Sequence, residues 1–175
     1  IEKALAAGNI KDTDHVTGAS DYTEQPLTTV RKLISRAMHN SLQNSAQLTH
    51  HLSADARRIL EYRKKIKEDI ARGGKRPDIT LNDMICWCVI KALGRFPEAN
   101  SHFLDDRIRT FKHVHLGLAV DTSRGLIVPS VKNADLMNLE TLSEKLKSAA
   151  EACKSGNIDP ELLKSTAASF TVSNL

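Results

Sequence analysis

The sequence predicts a mixed α/β domain, and three observations support that fold class. Four segments carry apolar residues at the three- and four-residue spacing of an amphipathic helix. Between them lie short segments rich in β-branched residues, of which Leu126–Val131 is the clearest candidate strand. Helices and strands do not alternate strictly, which disfavours a doubly wound parallel sheet. The 175 residues suffice for one such domain and leave little room for a second.

The helix predictions rest on apolar spacing, on capping residues and on the residues that stop a helix. The glycine pair Gly73-Gly74 ends the second helix, and Pro97 stops the third because proline cannot continue a helix. The four predicted helices, with their N-cap residues, are Thr29–Leu42 (Thr28 or Thr29), Ser53–Arg72 (Ser53), Thr80–Phe96 (Thr80 or Asn82) and Leu139–Cys153, which ends near Gly156.

The strand predictions rest on β-branched content and on the turn residues between segments. Leu126–Val131 is apolar almost throughout, which favours a strand buried on both faces. The five predicted strands are Gln47–Ala54, Ile108–Phe111, His115–Val120, Leu126–Val131 and Ser169–Leu175.

The chain divides into three parts by composition. Residues 1–8 predict a short amphipathic helix closed by Gly8. Residues 9–26 contain few apolar side chains and many Asp, Thr and Ser, which is typical of a linker. The compact domain is therefore expected to span 27–175.

Charge and composition narrow the classes of partner. The net charge is +4 and the pI about 9.0, but the basic residues are spread along the chain and aromatics make up only 4%. That distribution, without zinc-finger spacing, disfavours nucleic acid as a partner. The sequence contains no stretch of eighteen apolar residues, so it predicts no membrane span. The first residues do not resemble a secretory signal. We therefore expect a cytoplasmic protein.

Cysteines and histidines offer no active site by local spacing. Three cysteines without framework spacing predict thiols in a reducing compartment, with Cys86 and Cys88 in the core. The pairs His50-His51 and His113-x-His115 resemble metal pairs, but further ligands at fitting spacing are missing. Partly exposed strand histidines and no metal site are the favoured interpretation. Neither a GxSxG turn nor a glycine-rich phosphate loop occurs.

Two segments carry a family resemblance. LGLAVDTSRGLIVP at 116–129 resembles the G-[LIV]-A-[VM]-D-T-x-x-G-L-I-V-P signature of the dihydrolipoamide acyltransferase catalytic domain of 2-oxoacid dehydrogenase complexes. SFTVSNL at 169–175 is similar to the [TS]-F-T-[ILV]-S-N-[LI]-G strand of that family, and FPEAN at 96–100 resembles its P-x-x-N helix exit. The resemblance extends from about Leu27 to the last residue. Residues 1–8 resemble the closing helix of the peripheral-subunit-binding domain that precedes the catalytic domain in these chains.

The resemblance implies a fold and an activity. The fold would be a two-layer sandwich like chloramphenicol acetyltransferase, with a mixed, mostly antiparallel sheet and helices on one face. The activity would be transfer of an acyl group from dihydrolipoamide to coenzyme A, with the lipoyl group carried on a separate domain. Acetyl is expected because it is the commonest acyl group of the family. Expected partners are two further subunits of a homotrimer that builds a larger core, lipoyl domains and the dehydrogenase components.

The resemblance also assigns site residues by position. Ser173 would donate a hydrogen bond to the tetrahedral oxyanion. The coenzyme A contacts would be Arg63, Thr80, Asp121, Ser173 and Asn174. The family's general base is a histidine in a late His-Arg-x-x-Asp-Gly motif, a position that none of the seven histidines here occupies. We therefore expect these 175 residues alone to be inactive.

One further departure from the family pattern and two alternative functions remain open. Ala167-Ala168 stands where the family has Gly-Gly, after a short insertion near Lys164, so the local path can differ. A non-catalytic assembly or coenzyme-A-binding fragment of such a core is the first alternative. A nucleic-acid-binding domain is the second, and it predicts a strongly salt-dependent affinity for DNA.

Overall fold

The computed structural model describes residues 21–123, 125–164 and 167–174, with no account of the Val30 side chain. The chain falls into two units, Ile1–Ser45 and Ala46–Leu175. The helix predicted at 1–8 and most of the predicted linker lie outside the described residues. Linker residues 21–26 are exposed and form neither helix nor strand. The proposed boundaries between linker and domain stay a prediction.

The first unit contains one described helix, α1 (Thr29–Gln43), as its apolar spacing predicts. Thr28 is the N-cap, and its hydroxyl oxygen accepts a hydrogen bond from the backbone N–H of Arg31. The apolar side chains of Leu33, Met38 and Leu42 are exposed on this helix.

The second unit begins with an irregular segment, so the strand predicted at Gln47–Ala54 is wrong. Residues 46–56 have no strand pairing, and every one of them is exposed. A strand without a partner leaves its backbone groups unpaired, and local β propensity does not compensate for that. Helix α2 (Arg57–Ala71) then starts later than predicted. The side chain that bonds to the first turn of α2 is that of Asp55 rather than Ser53. Oδ1 of Asp55 accepts a hydrogen bond from the backbone N–H of Arg57 at 3.0 Å.

The remaining helices follow the sequence predictions closely. Helix α3 (Leu81–Leu93) has Thr80 as its N-cap and ends three residues before Phe96, with Gly94 at its C-cap. Helix α4 (Leu139–Ser155) has Asn138 as its N-cap and ends at Gly156 in the left-handed conformation. Short 3₁₀ helices lie at Pro97–Ala99, Ala134–Leu136 and Pro160–Leu163.

Seven short strands form three small sheets in the described part of the chain. The strands are β1 (Ser101–Leu104), β2 (Arg107–Thr110), β3 (Leu116–Leu118), β4 (Val120–Thr122), β5 (Gly125–Ile127), β6 (Ser130–Val131) and β7 (Phe170–Val172). Strands β1 and β2 pair, β4 and β5 pair, and a third sheet has the order β6-β3-β7. Every pairing is antiparallel except that of β3 with β7. The prediction of a mixed, mostly antiparallel sheet arrangement is confirmed.

Two strand predictions need correction. The run Leu126–Val131 is divided between β5 and β6, and Val128-Pro129 belongs to neither strand, because proline has no N–H for a ladder. Leu126 is 49% exposed, so the prediction of burial on both faces is wrong for this position. The run His115–Val120 is likewise divided, at Ala119, into β3 and the start of β4.

The main core lies between the helices α3 and α4 and the strands β3, β4 and β6. Its largest fully buried side chains include Ile90, Leu116, Leu142 and Leu146. Burial of each such side chain contributes about 1.5–3 kcal/mol. A smaller cluster of Ile66, Ile79 and Met84 packs α2 against the start of α3. The helices therefore fix the positions of the strand ends that carry the candidate site.

Candidate active site

Ser173 follows directly after β7, and its position depends on how that strand pairs. Strand β7 runs parallel to β3, with Leu116 opposite Phe170 and Leu118 opposite Val172. Beyond the end of β3, the backbone N–H of Ala119 donates to the carbonyl oxygen of Val172 at 3.1 Å. Ser173 and its neighbour Asn174 are both exposed. The predicted oxyanion donor therefore lies at an open strand end.

Asp121 lies in the same region of the fold as Ser173. It is the middle residue of β4, which begins one residue after Ala119, and it pairs with Leu126 of β5. Its side chain is exposed. The hairpin turn is held by the Thr122 hydroxyl, which donates to the Gly125 carbonyl oxygen at 2.7 Å. An exposed carboxylate on a fixed hairpin is available to accept hydrogen bonds from a ligand.

Arg63 and Thr80 form a second group of predicted site residues. Arg63 lies on α2 with its side chain 15% exposed, and its Nη1 is 2.6 Å from Oδ1 of Asp78. The hydrogen bond from Arg63 holds the pKa of the Asp78 carboxyl below its ordinary value. Asp78 precedes Thr80 by two residues, so the ion pair brings α2 and the start of α3 together.

Thr80 is fixed by a reciprocal capping box. Its hydroxyl oxygen accepts from the backbone N–H of Asp83 at 3.2 Å, and Oδ2 of Asp83 accepts from the backbone N–H of Thr80 at 2.8 Å. Asp83 is only 4% exposed, and its Oδ2 also accepts from the Ser143 hydroxyl of α4 at 2.7 Å. The helix start that would contact the coenzyme is therefore tied to α4.

The histidine pair predicted to be structural binds the loop after β6. Nδ1 of His113 lies 2.9 Å from Oδ2 of Asp135, whose Oδ1 accepts from the backbone N–H of Val114 at 2.8 Å. Burial alone would raise the pKa of Asp135, but these hydrogen bonds hold it below its ordinary value. Nδ1 of His115 accepts from the backbone N–H of Asn133 at 3.1 Å. Burial, together with the charge of Lys132, lowers the pKa of His115.

Metal and thiol chemistry have little support in this part of the chain. Among the described residues, no group of three His, Cys, Asp or Glu side chains could hold a metal ion. Burial and the charge of Asp83 raise the pKa of Cys86 to about 11, so its thiol stays protonated at neutral pH. The core prediction is right for Cys86 and wrong for Cys88, which is exposed on α3. Within the same described ranges, no helix has the length and apolarity to cross a membrane.

Three buried polar residues around the site make long-range hydrogen bonds that local sequence spacing does not indicate. Asp83, Asn100 and Ser169 are each at most 5% exposed, and each makes hydrogen bonds to distant parts of the chain. Asn100 belongs to the P-x-x-N segment and Ser169 to the S-F-T segment of the resemblance. The fact that they contact each other, across 69 positions, emerges only in the folded chain.

Fold and site together define an α/β chain in which the exposed Ser173 follows strand β7, and the basic helix α2 lies beside the start of α3. The family model for 2-oxoacid dehydrogenases acyltransferase (catalytic domain) matches residues 19–175. The chain belongs to this family.

Curated relatives agree with that assignment. The chain is 32% identical over 179 residues to the acetyltransferase component of the mitochondrial pyruvate dehydrogenase complex of Caenorhabditis elegans, covering 100% of this chain and 34% of that protein. It is 32% identical over 176 residues to the acetyltransferase component of the acetoin cleaving system of Bacillus subtilis, covering 100% of this chain and 43% of that one. The chain thus spans between about a third and under half of the length of these relatives.

Solved structures share the fold. The dihydrolipoamide acetyltransferase of Azotobacter vinelandii, crystallised to investigate the role of a serine, a histidine and an asparagine in its catalytic mechanism, matches with a TM-score of 0.79 at 27% identity. The match covers 89% of this chain and 63% of that one. A probable dihydrolipoamide acetyltransferase of Listeria monocytogenes matches with the same TM-score at 24% identity. The expected fold, like that of chloramphenicol acetyltransferase, is confirmed.

Proposed function

We propose that this chain carries part of the active site of an acyltransferase that moves an acyl group, acetyl by expectation, from dihydrolipoamide to coenzyme A. The observation that carries the proposal is Ser173, exposed at the end of β7 within the S-F-T-V-S-N segment. Membership of the acyltransferase family supports the reaction type. The acetyltransferase names of the relatives support acetyl as the group transferred.

The reaction is thiol-to-thiol acyl exchange. The coenzyme A thiol loses its proton to a general base, and its sulfur attacks the thioester carbon of acyl-dihydrolipoamide. The carbonyl oxygen becomes an oxyanion, to which the Ser173 hydroxyl donates a hydrogen bond. Collapse of the intermediate breaks the bond to the lipoyl sulfur, and that sulfur takes up the proton. A single donor of this kind contributes about 2.7–4 kcal/mol to transition-state stability.

The same chain would supply coenzyme contacts. Arg63 can bind a phosphate through its planar guanidinium if it exchanges its partner Asp78 for the ligand. Thr80 keeps its hydroxyl proton for a ligand, because only its oxygen is used in the helix cap. Asp121 and Asn174 are exposed and can bind amide or hydroxyl groups of the coenzyme. The general base would be the histidine of the family's late motif.

Partners and location follow from the family as proposals. We expect a homotrimer that builds a larger core, served by lipoyl domains and dehydrogenase components. A solved structure that this chain matches at 27% identity, with a TM-score of 0.79, is the cubic core of a pyruvate dehydrogenase multienzyme complex, which supports a large assembly. The cytoplasmic location stays a prediction, and relatives of this chain include mitochondrial components.

The direct test is acyl transfer by the protein expressed from its full gene. Purified enzyme is mixed with coenzyme A and with acetyl-, succinyl- or isobutyryl-dihydrolipoamide, and the acyl-coenzyme A product is quantified. We expect acetyl-coenzyme A to form fastest. Binding of coenzyme A without turnover of any donor would instead support the non-catalytic alternative. A salt-sensitive affinity for DNA, without coenzyme binding, would support the nucleic-acid alternative.

A further inference from the structure

We propose that Asn100 and Ser169 are positioning residues that set the register of β7 on β3 and so place Ser173 for catalysis. The inference rests on the proposed function, because it needs Ser173 to act in the reaction. Neither residue touches the reacting atoms in this account. Their effect passes along the backbone of β7 to the strand end.

The pair is buried and makes hydrogen bonds in three directions. Asn100 is 3% exposed and Ser169 is 5% exposed. The Ser169 hydroxyl donates to Oδ1 of Asn100 at 2.6 Å, and its oxygen accepts from the backbone N–H of His115 at 2.9 Å. Nδ2 of Asn100 donates to the carbonyl oxygens of Phe111 and His113, at 3.2 and 3.1 Å.

These bonds act on a strand with a short pairing. Strand β7 has only three residues, and among the described strands it pairs with β3 alone. A one-residue slip would preserve most backbone hydrogen bonds but would turn every side chain to the opposite face. The Ser169 bonds to His115 and Asn100 form in one register only. These side-chain bonds therefore disfavour the slipped register, which the backbone hydrogen bonds between β7 and β3 cannot do by themselves.

A glycine in β3 supports the same register. Gly117 lies opposite Thr171, and a Cβ at that position would come within 2.9 Å of Oγ1 of Thr171 and 3.0 Å of Cβ of Ala168. The chain around β7 thus lies too close to β3 for a side chain at this point. Close approach at Gly117 and the bonds of Ser169 hold the segment from two directions.

Ser173 is four residues beyond Ser169 and directly follows β7, two of whose three residues pack on the core. Phe170 and Val172 contact the main core cluster, so β7 has little freedom to absorb a shift at its start. Displacement at Ser169 would therefore be passed to Ser173. A displacement near 1 Å of a catalytic group can lower the rate by about 100-fold.

The test is a double-mutant cycle between Ser169→Ala and Ser173→Ala in the enzyme expressed from its full gene. We expect Ser169→Ala to lower kcat by about tenfold or more while KM for coenzyme A changes less than twofold. If Ser169 acts through Ser173, the double variant should have the same kcat as Ser173→Ala alone. Ile66→Val, in the smaller buried cluster that includes no residue of β7, controls for lost stability and should leave kcat unchanged.

Each other outcome has a distinct meaning. Multiplicative losses in the double variant, or an unchanged kcat in Ser169→Ala beside a low kcat in Ser173→Ala, would overturn the positioning role alone. An unchanged kcat in Ser173→Ala would overturn the proposed function of that serine. If Ser169→Ala does not fold, Ser169→Cys takes its place in the cycle, because it keeps the side-chain size but weakens the hydrogen bonds. A normal kcat for folded Ser169→Cys would also count against positioning.

Discussion

The guanidinium of Arg63 lies 2.6 Å from the Asp78 carboxylate, and this ion pair joins α2 to the segment that leads into α3. Arg63 is largely buried at 15% side-chain exposure, whereas Asp78 is 61% exposed. An incoming phosphate can therefore replace the exposed aspartate without moving the buried arginine far.

This relationship predicts opposite effects of substituting the two partners. Arg63→Ala should raise KM for coenzyme A by about tenfold with kcat nearly intact, because a charge-assisted phosphate contact is lost. Asp78→Asn breaks the same ion pair but leaves the guanidinium, so it should not raise KM. Steady-state kinetics of both variants measure this. An equal rise of KM in both would mean that the ion pair supports structure and that Arg63 binds no phosphate.

The capping box predicts a loss of stability in Thr80→Ala. Removal of the hydroxyl leaves the backbone N–H of Asp83 without its acceptor, which should lower the free energy of unfolding by about 1 kcal/mol. Thr110→Ala, at an exposed end of β2, is the matched control and should change the free energy of unfolding by less than about 0.5 kcal/mol. Urea unfolding of the three proteins compares them. Equal midpoints for both variants would contradict the capping role.

Two glycines predict opposite results of the same substitution. Gly117→Ala should destabilise the fold by about 1–3 kcal/mol, because the new Cβ would be forced against Thr171 and Ala168. At Gly94, in right-handed helical conformation at the end of α3, the nearest atom to an added Cβ is 3.5 Å away. Gly94→Ala should be neutral or stabilising by up to about 1 kcal/mol. Thermal unfolding measures both, and a neutral Gly117→Ala would show that β7 has room to move.

The lowered pKa of His115 predicts that the protein loses stability on acidification. Its folded pKa is lowered by burial and by Lys132, and also by His113, while Asp135 acts in the opposite direction. Because the folded state disfavours the charged imidazole ring, the unfolded state binds more protons than the folded state when the pH is below the ordinary pKa of histidine. The stabilising contribution is therefore complete above about pH 6.5 and is lost as the pH falls towards the folded pKa.

The measurement is urea unfolding of the wild type and His115→Gln between pH 7.5 and 5. The wild type should lose more stability over this range than the variant, which cannot titrate at this position. His39→Gln, an exposed histidine on α1, is the control and should keep the wild-type pH dependence. A pH dependence unchanged in His115→Gln would contradict the assigned protonation cost.

Helix positions were predictable from sequence where capping and apolar spacing agreed. Thr80, Asn138 and Gly156 mark boundaries through bonds made within a few residues, which a linear pattern can indicate. The irregular segment at 47–54 was not predictable in this way, because strand formation needs a partner from elsewhere in the chain. The division of Leu126–Val131 at Pro129 could have been anticipated, since proline lacks the N–H that a ladder needs.

The candidate site was predictable only through the family resemblance. Composition and spacing gave no active site, whereas the S-F-T-V-S-N segment directed attention to Ser173. The supporting contacts were beyond either approach. The bond between Ser169 and Asn100 and that between Ser143 and Asp83 join residues about sixty or more positions apart. Such contacts are set by tertiary packing, which no local pattern encodes.

The most direct test of the central claim is the kcat of Ser173→Ala in the enzyme expressed from its full gene. A hydrogen bond that forms only as the oxyanion develops stabilises the transition state more than the bound substrate. We therefore expect kcat for acetyl transfer to coenzyme A to fall by about 100-fold, with KM for coenzyme A nearly unchanged. Ser148→Ala, an exposed serine on α4, should keep the wild-type kcat. A Ser173→Ala enzyme that turns over at the wild-type rate would contradict the account.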